Sequence, residues 1–341
     1  MSKPLVSILI VSYNYGRFIQ DAIDSVLAQQ FALDQIEILV VDDGSTDDTS
    51  KQVKKYGSQV TYLYKENGGQ ASALNYGLAR ASGEIVTLLD ADDYFLPGKL
   101  ARIAEAFASD PDLGMVYHRI ELWHPDTGKR EGWDFVEVSG DLRTEPRRFE
   151  LYLTPPNLAI SFRRRFLNQL LPIPENIRML ADCYISALIP FHARVLAIPE
   201  VLATYRIHGK NSYTTGQPEA LEVKARKVQM WQTVIAAMRQ WLADNGYSFR
   251  QQPVRAMTEK WDVILEREAF TVNPPTRIHF FRHLLKSYRY RTRLMKRNLL
   301  LLNYLDAVGA LIVGYEKFPS WLEKREHVLR GVRGVLRKKL A

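Results

Sequence analysis

Apolar residues gather into short runs that stop abruptly at polar clusters. Residues 5–11 form one such run and end at Ser12, Tyr13 and Asn14. Residues 18–30 follow with helical spacing, since Phe18, Ala22, Ile23, Val26 and Leu27 share one face of a 3.6-residue period. A second apolar run, 36–41, ends at Asp42, Asp43, Gly44 and Ser45. Residues 47–56 predict a short helix and 60–64 a third strand. Residues 70–81 predict a helix closed by Gly83, and 85–89 a fourth strand leading into Asp90, Ala91, Asp92 and Asp93. Strands alternating with helices predict an α/β fold, a doubly wound, mostly parallel sheet with helices on both faces. Ligands of such sheets bind beyond the carboxyl ends of the strands, so three polar strand ends should converge on one crevice.

From about Val116 the alternation stops. Trp123, Pro125, Gly128 and Trp133 suggest a hairpin within residues 117–138, turning at Asp126-Thr127-Gly128. Residues 179–189 read as a helix with Asp182 near its start, 195–205 as extended chain and 208–212 as a loop. After Pro218 the chain is helical again. The expected division is a catalytic domain over residues 1–215, with halves at 1–115 and 116–215, and a helical, basic extension over 216–341.

Composition sharpens this picture at the tail. At 341 residues, 46% hydrophobic and 25% charged, the chain can bury a core and carry an extension. The net charge is +8, yet residues 271–341 hold 16 Lys and Arg against 4 Asp and Glu, which leaves residues 1–270 at −4. Cys183 is the single cysteine, so no intrachain disulfide forms, and a reducing compartment fits. The run at 5–11 is short, follows one Lys and precedes no small-residue cleavage site; it reads as a buried strand and not a leader.

Each polar cluster has a functional and a structural reading. Asp90 and Asp92 stand two apart on a strand-end turn, which suits a hard divalent cation bridging diphosphate oxygens, or simply ends a strand. Asp42 and Asp43 can accept hydrogen bonds from a base imide or ribose hydroxyls, while Gly44, Ser45 and Asp47 equally suit a turn and a helix cap. Tyr13 offers a ring face to a base or to its neighbours. Asp182 is either a general base toward an acceptor hydroxyl or a carboxylate stabilised by its helix dipole. His208 is either a nitrogen ligand for an Mn-like ion or an exposed loop residue, and Arg206 or Lys210 beside it could face a diphosphate.

Four blocks in order, Ser7-Ile-Leu-Ile-Val-Ser-Tyr-Asn14, Glu37-Ile-Leu-Val-Val-Asp-Asp-Gly-Ser-Thr-Asp47, Asn67-Gly-Gly-Gln-Ala-Ser-Ala-Leu-Asn75 and Leu89-Asp-Ala-Asp-Asp93, resemble the family 2 glycosyltransferases of GT-A fold. The resemblance covers residues 1–215 or so. It implies a nucleotide-sugar donor contacted by Val11, Tyr13, Asp42, Asp43, Asn67, Asp90 and Ala91. It also implies a divalent metal, Mn or Mg, on Asp92 and His208 with Asp90 near the ribose or metal, and Asp182 as the base. Two positions depart from the family: Val11 stands where Pro is frequent, and Leu74 where Arg is common. Ala181 replaces a frequent Glu before the base. The loop Tyr205-Arg-Ile-His208 resembles the family's closing loop.

The resemblance implies an inverting transfer of sugar to a glycan or lipid-linked acceptor, in cell-surface polysaccharide or glycolipid synthesis. A processive synthase would carry a Gln-x-x-Arg-Trp motif and several membrane spans, and neither is present in the sequence. A sugar nucleotidyltransferase would need a Gly-rich, basic loop after the first strand. A nucleic-acid binder would explain the tail but not the acidic strand ends, so no nucleic-acid partner is expected. The tail clusters Arg289, Arg291, Arg293, Lys296 and Arg297 before the apolar run 299–313, and Arg337, Lys338 and Lys339 after it. That run is shorter than the roughly 20 residues of a spanning helix. It fits either a basic amphipathic segment on an anionic membrane or a core helix with a solvated basic face. The expected location is cytoplasmic, peripheral at the inner face of the cell membrane.

Overall fold

A computed structural model describes residues 5–133, 137–145, 148–149, 152, 154–209, 211, 220–292 and, further on, 306, 310, 312–320 and 322. Its first four strands, β1 (Val6–Ser12), β2 (Ile36–Asp42), β3 (Thr61–Tyr64) and β4 (Ile85–Asp90), lie parallel in the order β3-β2-β1-β4. The register sets Val11 beside both Val41 and Asp90, and Ser12 beside Asp42. The polar strand ends are therefore level with one another at one edge of the sheet.

Helices α1 (Ile19–Leu27), α2 (Thr49–Lys54), α3 (Gln70–Leu78) and α4 (Lys99–Ser109) cover the sheet. Successive side chains of a strand point to opposite faces. Ile8 and Ile10 pack with Ile19, Ile23 and Val26 of α1 and Ile103 of α4 in one core cluster. Leu9 meets α3 on the other face, where a Cβ on Gly77 would lie 2.7 Å from Val41 and 2.9 Å from Leu9. The hairpin is β6 (Leu113–His124) with β7 (Lys129–Trp133), and Gly128 takes the left-handed conformation, φ +67°, in its turn.

Four helices and strands were not visible in the pattern of residues: α4, the two-residue β5 (Tyr94–Phe95), β8 (Ile160–Arg163) and the short helix Arg164–Leu167. The four residues of β8 are all buried and show no period, yet β8 runs antiparallel between β4 and β6 and joins the two halves of the sheet. Beyond β6 lies β9 (Arg194–Arg206), parallel to it, with β5 on its outer side. Helices α5 (Arg164–Leu167) and α6 (Ala181–Leu188) complete this half.

Two compact units are present: Met1–Glu219 with Gln229–Val254, and Ala220–Val228 with Arg255–Ala341. Most of α7 (Leu221–Asp244) thus belongs to the first unit, with Val234, Ile235, Met238 and Leu242 buried. The Tyr247 hydroxyl donates to the Phe191 carbonyl at 2.6 Å. Part of the expected extension is therefore built into the catalytic unit, because α7 supplies apolar side chains on its inner face. In the second unit, α8 (Gln252–Val272) and α9 (Arg277–Thr292) carry a small aromatic cluster in which Phe280 packs with Phe270, Tyr315 and Phe318. Of the run 299–313, Asp306 and Ala310 are buried and Ile312 is exposed. Arg293, Lys296, Arg297, Arg337, Lys338 and Lys339 lie outside the described residues, as does Lys210. No helix among the described residues is long and apolar enough to cross a membrane.

Candidate functional site

The loops after β1 and β2 are laced together at the strand ends. Asn14 adopts a left-handed conformation, φ 60°, and its side-chain oxygen accepts from the Thr46 amide at 2.8 Å. The Asn14 amide donates to the Ser45 hydroxyl at 2.8 Å, and the Gly16 amide to Asp47 at 2.9 Å. A Cβ on Gly16 would collide with the Asp48 side chain and lie 2.8 Å from the Thr49 amide nitrogen, so only glycine allows this approach. The lacing leaves the Tyr13 ring 49% exposed at the crevice rim, open to a flat ligand. The Val11 carbonyl accepts from the Ala91 amide at 3.2 Å, which joins β1 to the turn after β4.

Asp42 and Asp43 are adjacent but do different things. Asp42 is 1% exposed; one oxygen accepts from the Ser45 amide at 2.8 Å and the other from the Tyr62 hydroxyl at 2.6 Å. Burial and then this bond push the Tyr62 hydroxyl up to about 12. Both Asp42 oxygens thus hold the turn after β2 and the neighbouring strand β3. Asp43 accepts from Lys65 (2.8 Å), the Gly68 amide (2.9 Å), the Gly69 amide (2.8 Å) and Asn67 (3.1 Å). It ties the β3–α3 loop to the end of β2. Asn67 is exposed, and its side-chain oxygen accepts from Arg178 at 2.6 Å, which links the loop to the segment before α6.

The turn after β4 concentrates negative charge. Burial, and next the charges of Asp92 and Asp182, push the Asp90 carboxyl up to about 8, against the hydrogen bond it accepts from Asn157 at 2.7 Å. Asp93 is fully buried; one oxygen accepts from the Arg206 amide at 2.9 Å and the other has no partner. Burial, then Asp92 and Asp90, raise it well above the usual carboxylate range. Buried Lys99 donates to the Leu158 carbonyl at 2.6 Å and stacks 3.5 Å from the Phe95 ring centre. Burial lowers it, while Asp93 opposes that effect.

His208 reaches this turn from the loop after β9. Its Nε2 lies 3.0 Å from Asp92, and its Nδ1 is 3.2 Å from the Arg17 guanidinium. A guanidinium only donates, so Nδ1 accepts and Nε2 carries the proton that Asp92 receives. Phe18 and Tyr15 pack on the ring at 4.5 and 5.8 Å between centres. Asn211 closes the loop, accepting from the His208 amide at 2.8 Å and donating to the Arg206 carbonyl at 2.7 Å. Arg206 does not face this crevice as a diphosphate partner: it is 5% exposed, bonds Asp21 at 2.7 Å and lies over Phe18 and Trp123.

Asp182 sits in the first turn of α6, whose entry residue Leu180 is left-handed, φ 67°. Gln70 accepts from the Ala181 amide at 2.9 Å, pinning α6 to the start of α3. Burial pushes the Asp182 carboxyl up to about 6, even though amides of Cys183, Asp182 and Asn157 and the Gln70 side chain favour its charged form. The charges of Asp92 and Asp182 thus both reach Asp90, with His208 on Asp92. Among the described residues no three His, Cys, Asp or Glu side chains are gathered as a ready coordination shell. Asn157, Arg17 and Gln70 were missed as site residues. Gln70 lay inside a recognisable block, but Asn157 follows two prolines in a stretch without period, and nothing in the residues signals it.

The arrangement is an α/β crevice at the carboxyl ends of parallel strands, with a carboxylate-rich floor. Residues 7–169 match the family model described as glycosyl transferase family 2. An uncharacterized glycosyltransferase of Nostoc sp. is 32% identical over 256 residues, 72% of this chain and 78% of that protein. An uncharacterized glycosyltransferase of Rickettsia typhi is 48% identical over 98 residues, 29% of this chain and 30% of that protein. The chain belongs to glycosyl transferase family 2 and is a glycosyltransferase. In fold it resembles S. aureus TarS 1-349, solved in complex with UDP-GlcNAc, with TM-score 0.56 at 17% identity over 91% of this chain and 92% of that one. It also resembles the mannosyltransferase PcManGT of Pyrobaculum calidifontis, solved with GDP-Man and Mn2+, with TM-score 0.57 at 20% identity over 96% and 86%.

Proposed function

We propose that this glycosyltransferase moves a sugar from a nucleoside-diphosphate sugar to an acceptor hydroxyl with inversion, using Asp182 as general base. The observation that supports the reading is a crevice in which the charges of Asp92 and Asp182 reach Asp90, with burial holding Asp182 at about 6. A carboxylate with that proton affinity is ionised at neutral pH and still accepts a proton from a hydroxyl as it attacks. Tyr13 stacks on the base of the donor. Asp43 holds the 65–69 loop, and Asn67 on it, against the nucleoside. The complexes of the two structural neighbours favour UDP- and GDP-sugars as donors to try first.

The donor set fits a divalent cation, Mn or Mg. Asp90, raised to about 8 by burial and next by the charges of Asp92 and Asp182, would be relieved by a hard cation, and Asp92 and His208 already share a proton that a cation would replace. Asp92 and His208, with Asp90, would hold it. When bound, it neutralises the charge that develops on the departing diphosphate. The residues of the chain then do the rest: His208 stays oriented by Arg17, Phe18 and Tyr15, Asn157 holds Asp90, and Asp182 takes the acceptor proton.

The acceptor in this reading is a glycan or lipid-linked hydroxyl in cell-surface polysaccharide or glycolipid synthesis, and the basic tail rests on an anionic membrane. The test is a panel of UDP- and GDP-sugars with Mn2+, Mg2+ or chelator, read by melting temperature and by release of nucleoside diphosphate, with the product anomer assigned by NMR. No shift and no release with any donor and either metal refutes the donor reading; a retained anomer refutes inversion.

A further inference from the structure

The first unit has a second recess, on the side of α6 away from the carboxylates. It is an open groove of about 760 Å3 between residues 174–184 and the outer face of α7, within the usual range of about 300–1,000 Å3 for ligand sites. Along α7 its wall is set by Gln229, Gln232, Thr233, Gln240 and Asp244, which share one side of the helix with Ala236 and Ala237 between them. The two alanines leave the middle of that wall hollow. Asn176 faces it from the other wall, and Trp241 and Tyr184 supply aromatic surface. Trp241 is braced by Tyr247, stacked at 5.9 Å and 24°, and by His192, whose ring lies at 5.2 Å and 73° to it.

The chemistry of this lining is specific. Carboxamides present a donor and an acceptor side by side, which matches vicinal hydroxyls that each donate and accept. A braced indole offers a flat apolar face to the C–H face of a sugar ring. No Lys or Arg lines the groove among the described residues, and its one carboxylate, Asp244, accepts from Gln240 at 2.8 Å. Phosphate or sulfate would find no counter-charge there. We infer that the groove between residues 174–184 and α7 docks an uncharged oligosaccharide, the non-reacting part of the acceptor. The inference rests on the transferase reading for its link to acceptor, though not for the binding itself.

Two connections tie the groove to the chemistry. Tyr184 is two residues beyond Asp182 on α6. The segment carrying Asn176 continues into Arg178, whose carbonyl accepts from the Gln70 amide at 2.9 Å and whose guanidinium holds Asn67 at the crevice rim. In this inference the acceptor chain lies in the groove and passes the end of α6 to bring its reacting end to Asp182, so it must hold several sugars.

The test is calorimetric titration of the full chain with four neutral hexasaccharides, namely maltohexaose, cellohexaose, mannohexaose and chitohexaose, and with a heparin hexasaccharide. Two variants on exposed positions accompany it: Gln232→Ala removes an amide, and Ala236→Trp fills the hollow. The melting-temperature shift by UDP and GDP with Mn2+ is read on every protein. At least one neutral hexasaccharide should bind, and weaken about tenfold in Gln232→Ala, the usual effect of losing one or two hydrogen bonds, and at least as much in Ala236→Trp, where the indole occupies the groove, with the nucleotide shift unchanged. Binding of a neutral hexasaccharide without any nucleotide effect would leave the groove standing and remove the donor reading instead. No binding by any neutral hexasaccharide, equal binding of the heparin fragment, or binding unaltered by Ala236→Trp overturns the inference.

Discussion

Asp182→Asn separates catalysis from stability, because the structure gives the two opposite signs. The side chain keeps its shape and most of its hydrogen bonding but loses the ability to take a proton. As a lost general base it should lower transfer by about 100-fold or more, with donor affinity near that of the parent chain. Stability moves the other way. Burial raises this carboxyl from 3.8 to about 6, so the folded state binds the proton more tightly than the unfolded state does. The parent chain then loses stability as pH rises from about 4 through about 6, and the full cost is present above that. At about 1.4 kcal/mol per tenfold change in proton affinity, the cost is about 3 kcal/mol. Asn escapes it. The stability difference between Asp182→Asn and the parent, measured by urea unfolding of the ligand-free chain at pH 4, 6 and 8, should grow by about that amount in favour of the variant. Transfer by the parent should also rise with pH through about 6. A helix-dipole role predicts the reverse, a variant less stable by about 0.3–1 kcal/mol with nearly normal transfer. Near-normal transfer, or a stability difference indifferent to pH, refutes the reasoning.

Four further outcomes can be checked. Asp92→Asn should abolish turnover and remove the stabilisation that Mn2+ adds to a nucleoside diphosphate; equal diphosphate affinity with and without chelator in the parent chain would end the metal role. Asp43→Ala should weaken nucleotide binding and cost about 1–3 kcal/mol, since Lys65, Asn67 and two loop amides lose their acceptor, and unchanged nucleotide affinity in the folded variant would count against its donor role. Gly77→Ala should destabilise by about 1–3 kcal/mol as its Cβ presses on Val41 and Leu9, seen as a lower urea midpoint at unchanged slope. The full chain should sediment with anionic phosphatidylglycerol vesicles at low salt and release at high salt; indifference to vesicles at low salt would make the basic tail a structural element.

The strands β1, β2 and β4 could be read from residues alone because each is buried on both faces, and burial on both faces demands an unbroken apolar run. Their polar ends could be read for the same reason: a run that stops at Asp42 or Asp90 stops where the sheet stops. The hairpin turn at Gly128 was equally local. What a carboxylate does at its strand end was not local. Asp42 and Asp43 are indistinguishable in the chain, and only the arrival of Tyr62 from β3 and of the 65–69 loop makes one a buried strut and the other a loop anchor. Asn157 could not be found, since its value lies in β8 inserting next to β4 and carrying it to Asp90. Arg206 and His208 are two residues apart on one loop, yet packing sends one to Asp21 and the other to Asp92. The sequence determines where the long parallel strands begin and end, because that follows from local burial, while β5 and β8 exist only through their partners. Which polar groups meet follows from contacts between segments separated by as many as 191 residues, as Arg17 and His208 are, and the tertiary structure alone decides it.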